Sequence, residues 1–316
     1  MKKKTIMALS LVTLLTQASL SAAEVDSFTN RFTPIEDSLD LINKKSNEYF
    51  QQAMERANKK NKGCNEKRLY KSLRKYFRNH YTGEFNKWLN EAEEVDRITV
   101  SIRDGIFQDF KWYQAIVPGG FARVFGDPSA QLIKVNGVLL GWDKFEHFMG
   151  SGYNYFKKNY LKGKGIKEAM KIGYKAETGY MGAQTTGVKS YGDLTANFNG
   201  MRFWNHVLQK NDDVLGVEFN EGPYVQCVND RWVQVKELDW SRYIDHAFDE
   251  GVNCSKFKNQ KMSDNVEERI SILEKNDTEG RKYGCPMLPL ELEKATVKYG
   301  EFSKHLLNLE GHGPFK

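Results

Sequence analysis

The chain has 316 residues, with 47 Lys and Arg against 41 Asp and Glu, a formal charge of +6 and a mean hydropathy of -0.63. So mild a positive balance, with no recognition motif, argues against a nucleic-acid partner. Beyond the N-terminal leader no stretch is apolar over the roughly twenty residues that a membrane helix needs, so no transmembrane segment is expected in the mature chain.

Residues 1–23 read as a secretory signal peptide. Lys2, Lys3 and Lys4 precede an apolar run from Ile6 to Leu15, and the small residues Ser21, Ala22 and Ala23 suit cleavage before Glu24. Cleavage leaves 293 residues with a net charge of +3, expected in the periplasm or outside the cell. Four cysteines remain, Cys64, Cys227, Cys254 and Cys285. An even number in an oxidising compartment implies two disulfides with three connectivities open. The pairing expected is Cys227–Cys254 with Cys64–Cys285, which would pin both ends onto the body.

Residues 24–120 form a helical N-terminal region, in which Leu39, Ile42, Tyr49 and Ala53, then Leu69, Leu73, Tyr76, Phe77, Trp88 and Leu89, recur at helical spacing. Residues 121–210 form a core helical region. Within it, Ala122–Phe125 and Gln131–Leu140 alternate like two short strands around Gly126-Asp127-Pro128. Residues 211–316 make a C-terminal region, with a hairpin where Tyr224–Val228 and Trp232–Val235 flank Asn229-Asp230-Arg231. The tail from Ser263 to Leu309 reads as helices and loops. The fold class is mainly α with small β-hairpins (α+β), a single helical core with appended N- and C-terminal segments.

Three segments of the core region carry polar residues where a core should be apolar. A helix from Trp142 to Leu161 places Asp143, Glu146, His147, Gly150 and Asn154 on one stripe. An Asp and a His at i and i+4 hold a metal jointly, orient one another, or form an ordinary surface pair. A second helix from Gly165 to about Gly182 has the inward stripe Ile166, Ala169, Met170, Gly173 and Tyr174, which Glu177 continues. A buried acid there would have a raised pKa and suit proton donation, or would simply pair with Lys144 or Arg202. The third helix begins at Ser190, whose spacing to Asp193 is that of a capping box. Asn197 and Gly200 lie on the Asp193 face, and Thr185-Thr186-Gly187 forms the turn leading in. The stretch Asp245-His246 to Asp249-Glu250 reads equally as an addition to a cleft or as an amphipathic surface.

The order Asp143, Lys144 and His147, then Glu177 and Gln184, then Ser190, Asp193, Ala196, Asn197 and Gly200 resembles the VanZ-like family and its soluble exported relatives. The resemblance covers about a fifth of the chain. It implies a place in the bacterial cell envelope more than a reaction. Here Lys189 stands where the family often has Arg, and the helices are not lipid-compatible.

The expected function is that of a hydrolase acting on peptidoglycan, cleaving its glycan with Glu177 as general acid. Asp193 or Glu146 would be the second carboxylate that such cleavage requires. His147 is grouped with these catalytic residues, and Asp143, Lys144, Ser190, Thr185 and Asn197 would bind the polymer or muropeptide. No motif calls for a cofactor. A divalent metal, if bound, would use Asp143 and His147 with Glu177 or Asp193, and His206 could join them. The alternatives are a non-catalytic factor that binds peptidoglycan or lipid, and a buried network that only fixes three helices.

Overall fold

The computed structural model describes residues 24–59, 63–78, 82–116, 118 and 130–315. The proposed signal peptide, the expected strand 122–125 and the turn after it lie outside the described residues. The architecture is mainly helical with small β elements, as the patterning predicts, and the described residues form three two-stranded antiparallel pairs.

The N-terminal region folds as α1 (Leu39–Asn58), α2 (Glu66–Tyr76) and α3 (Glu84–Glu91). Asn65 caps α2, its side chain accepting from the Arg68 amide at 3.0 Å. The inner faces of these helices bury Ile42, Phe50, Leu69, Leu73, Phe85 and Leu89 in the main core.

Strands β1 (Leu132–Val135) and β2 (Val138–Gly141) form a hairpin, which corrects the single strand expected over Gln131–Leu140. The reason is Asn136-Gly137: both residues have positive φ, 56° and 75°, as a two-residue hairpin turn with the right twist requires. Asp37 holds this turn by accepting from the Asn136 and Gly137 amides at 3.1 and 2.6 Å.

A helical run over 143–161, α4, follows directly. It alternates α-helical turns (Asp143–Glu146, Gly152–Phe156) with π-helical turns (His147–Ser151, Lys157–Leu161). The first π turn inserts a residue into the helical register, so the expected stripe does not persist: Asp143 and His147 face inward together, whereas Asn154 is exposed. Next come α5 (Ile166–Thr178), a π-helical turn Tyr180–Gln184, and β3 (Val188–Lys189).

Helix α6 (Tyr191–His206) is the axis of the molecule, buried from Gly192 to its end. It carries polar groups through the core because each finds a partner. Asn199 donates to the Tyr299 hydroxyl at 2.8 Å, Arg202 donates to Asp213 at 2.8 Å, and His206 lies 2.8 Å from both Asp213 and the Tyr243 hydroxyl. Gly200 packs on the backbone of Phe148 and Gly152 on that of Gly200. A Cβ at Gly200 would fall 1.9 Å from the Phe148 carbonyl oxygen. Glycine on both helices is therefore what brings α4 and α6 into backbone contact.

The second hairpin, β4 (Val225–Val228) and β5 (Arg231–Gln234), turns on Asn229 and Asp230, both at positive φ. It lies against the end of α1, where Asn58 exchanges hydrogen bonds with the Trp232 backbone at 2.9 Å. That contact corrects the cysteine pairing. Cys227 bonds Cys64 beyond the end of α1, and Cys254 bonds Cys285, so neither expected bridge forms although all four cysteines are used.

Strand β6 (Lys256–Phe257) pairs with β3, bringing residues 246–257 beside the start of α6. Helices α7 (Gln260–Asn276), α8 (Pro289–Tyr299) and α9 (Ser303–Leu306) complete the chain. The Leu306 carbonyl accepts from Thr195 and Asn253 at 3.0 Å each, fastening α9 to α6.

Candidate acid–base site

Five chain segments meet around the Lys144 ammonium. The first turn of α4 supplies Asp143, Lys144 and His147, and the start of α6 supplies Ser190 and Asp193. The 246–257 segment adds Glu250 and Ser255, the end of α5 adds Glu177, and the N-terminal segment adds Glu24. Gly192 leaves the passage for Lys144: a Cβ there would meet Lys144 Cε and the Phe248 carbonyl oxygen at 3.0 Å and Glu250 Cγ at 3.2 Å.

Lys144 is 1 % exposed, and its Nζ lies 3.0 Å from Asp143 Oδ2, 2.7 Å from Asp193 Oδ1 and 2.7 Å from Glu250 Oε1. It donates to Asp143 and stands in ion-pair contact with the other two carboxylates. Glu250 also accepts from Ser190 Oγ at 2.7 Å and Ser255 Oγ at 2.9 Å. Ser190 is the N-cap of α6, accepting from the Asp193 amide at 3.0 Å, while its own amide donates to Glu177 Oε2 at 3.3 Å. The capping role read in the sequence is present, and the same hydroxyl also binds an acid. On the more open side, His147 Nε2 lies 3.1 Å from Asp193 Oδ2, with the imidazole 22 % exposed.

Crowding drives the acids apart in protonation. Glu177 is pushed well above the ordinary carboxyl range by burial, then by the nearby charges of Asp193 and Glu24. Glu24 is raised in the same way, by burial and then by Glu250 and Asp193, against a hydrogen bond with Thr186. Burial also pushes Asp193 upward, but His147 and Lys144 outweigh it and hold this carboxyl below its usual value. Asp143 sits between, raised to about 6 by burial despite Lys144. Burial works against the Lys144 charge, yet its carboxylates keep it firmly protonated. The cluster thus biases Glu177 toward the protonated form and Asp193 toward the ionised one.

Of the residues singled out in the sequence, Asp143, Lys144, His147, Glu177, Ser190 and Asp193 come together. Glu146 is half-buried on the same turn, but Asp193 is the carboxylate held against both Lys144 and His147. Thr185 is half-buried, and its neighbour Thr186 is the one that reaches Glu24. Asn197, 1 % exposed, hydrogen-bonds the Tyr155 hydroxyl, leaving its Oδ1 without a partner. Arg202 and His206 serve the separate Asp213 network, so His206 does not join this cluster, and Trp204 is wholly core. Glu24, Glu250, Thr186 and Ser255 were not legible as site residues. Two of them carried some signal, Thr186 in the turn before the third helix and Glu250 in the Asp249-Glu250 stretch, and Asp249 is spent on a buried ion pair with Arg31 at 2.5 Å.

Ligand atoms of Asp143, His147 and Asp193 lie within 4.8 Å of one another, the geometry of a potential cation site. Asp143 Oδ1 and His147 Nδ1 are buried without a hydrogen-bond partner. The Lys144 ammonium contacts both of these acids and supplies one positive charge between them. Comparison with family models, with curated proteins and with solved structures gave no match.

Proposed function

We propose that the protein is an exported hydrolase of the cell envelope, with peptidoglycan glycan as its substrate and Glu177 as its general acid. The observation that carries this reading is the convergence of Glu177 and Asp193 on Ser190, with surroundings that bias the two acids in opposite directions, Glu177 toward the neutral form and Asp193 toward the ionised one. Such a pair is what acid–base hydrolysis requires near neutral pH. Glu177 gives its proton to the departing oxygen. Asp193 takes one from the attacking water, so the protons balance, and His147 orients that carboxylate. Asn197 and Asp143 then serve to position the substrate.

Two disulfides favour an oxidising compartment, and among the described residues no helix is long and apolar enough to cross a membrane. The residue order that resembles the VanZ-like family is in keeping with the same location.

The test is digestion of purified sacculi, with released fragments separated by mass. The wild-type chain is expected to release soluble fragments, and Glu177→Gln to lose that release while its thermal unfolding is kept. Undiminished release by the variant removes Glu177 from the chemistry. Sacculus binding by the wild type with no new fragments replaces the enzyme with a binding factor. A second reading, metal-assisted hydrolysis, is favoured by the grouping of Asp143, His147 and Asp193. Release abolished by chelation and restored by a divalent ion would select it over the metal-free form.

A further inference from the structure

Next to the acid cluster, and separate from it, lies an open groove of about 530 Å3 between α5 and the C-terminal segment. That volume is within the roughly 300–1,000 Å3 common for small-molecule sites. Ile166, Met170 and Tyr174 of α5 face Leu194, Phe302 and Leu306, and Tyr155 stands at the inner end. The rim is different in kind. Lys167, Lys171, Lys304 and His305 border the groove, with Glu301 the one acid among its lining residues. Lys171 is engaged by Glu168 at 2.5 Å, whereas Lys167 and Lys304 are exposed and have no ion pair among the described residues.

We propose that this groove binds a single-chain lipid whose head is a phosphate monoester, the tail lying on the apolar floor and the head between Lys167 and Lys304. Charge complementarity argues for that occupant. Two unpaired ammonium groups on facing elements suit a compact head with close to two negative charges at neutral pH, and lysine is a common phosphate partner. The field at the rim is also read by His305. Its ring is driven toward the neutral form by partial burial, then by Lys304, Lys167 and Lys189. An apolar floor with a cationic edge matches neither a sugar polymer nor a free phosphate. The inner end approaches the acid cluster through Tyr155, whose hydroxyl feels Glu177 and bonds Asn197. The binding claim stands without any reaction there.

The experiment is calorimetric titration of the full chain with monomeric palmitoyl lysophosphatidic acid, below its micellar concentration. Comparison ligands are glycerol 3-phosphate, palmitate and neutral monopalmitoylglycerol. Expected is saturable one-to-one binding of the phosphate lipid, weakened roughly fifteenfold for every two methylenes removed from the tail. The double variant Lys167→Glu, Lys304→Glu, altered only at exposed positions, should bind about tenfold more weakly or worse. Met170→Glu should lose the tail dependence. Wild-type His305 should become easier to protonate on binding, seen in its ring proton shifts. Equal binding of the neutral lipid, or of glycerol 3-phosphate, overturns the proposal. So does tighter binding of palmitate, or adsorption to anionic vesicles without saturable uptake of the monomer.

Discussion

Replacing Lys144 by Met keeps most of the side-chain volume and removes the one ammonium shared by Asp143, Asp193 and Glu250. The fold then holds buried carboxylates with no counter-charge, and breaking a buried pair in this way costs about 3–5 kcal/mol. A second route to the magnitude agrees. A carboxyl with an ordinary pKa near 4 must be protonated to remain buried, which at pH 7.5 costs at most about 4.8 kcal/mol, at 1.36 kcal/mol per unit. Asp143, already raised to about 6 in the native chain, takes the first proton most easily. The loss must therefore shrink on acidification. In the variant the folded acids are raised above their unfolded values, so stability is regained as pH falls toward 4.5. The assay is thermal unfolding by tryptophan fluorescence at pH 7.5 and 4.5, with disulfides intact. A drop of roughly 6–15 °C is expected at pH 7.5 and less than half of it at pH 4.5. An equal drop at both pH values would mean that packing, not charge, holds the site together. A drop of less than about 2 °C at pH 7.5 would refute the reasoning altogether.

Glu177→Gln should stabilise the fold at pH 7, by as much as about 3 kcal/mol, because the folded carboxyl is pushed toward its neutral form whereas the unfolded one ionises, and the gain should vanish near pH 4; Asp193→Asn should instead cost about 3 kcal/mol, both read by urea titration. The Asp193 contribution, from a depressed pKa, is present above about pH 4 and disappears as pH falls below that, so the cost of Asp193→Asn should fade in acid. Gly200→Ala should lower the melting temperature by several degrees through overpacking of about 1–3 kcal/mol or more, since the added methyl meets the Phe148 backbone rather than a flexible side chain. Opening Cys64–Cys227, which spans 163 residues, should cost about 5 kcal/mol, against about 4 for Cys254–Cys285, which spans 31; paired Cys→Ser variants measured in denaturant would check the order.

Helical periodicity makes α1, α2, α5 and the start of α6 readable from sequence because each repeats apolar residues every three or four positions. Ser190 could be read as a cap for a similar reason: the bond it makes is three residues away. The site was legible only where its residues lie inside such elements, as Asp143, Lys144, His147, Glu177 and Asp193 do. Glu24 and Glu250 come from irregular segments whose approach depends on the β3–β6 pairing and on Val25 bridging to Ala130, contacts between residues far apart in the chain. The π turns of α4 escaped notice because a single inserted residue leaves no mark on composition. The disulfide partners were beyond reach as well, since Cys227 lies beside Cys64 only through the packing of its hairpin on α1, a contact between segments far apart in the chain.

Anchoring of Leu306 by Thr195 and Asn253 has a dynamic corollary, because Asn253 belongs to the stretch that delivers Glu250. The chain's last residues continue this attachment: the Asn308 amide donates to Asn253 Oδ1, and the Phe315 amide donates to the Phe257 carbonyl. Peeling the terminus away would unzip one wall of the groove beside α5 and loosen the acids together. The amides of Leu307, Asn308, Phe257 and Phe315 should accordingly exchange with solvent deuterium as a single cooperative unit, and a deletion after Phe302 should cost both sites at once.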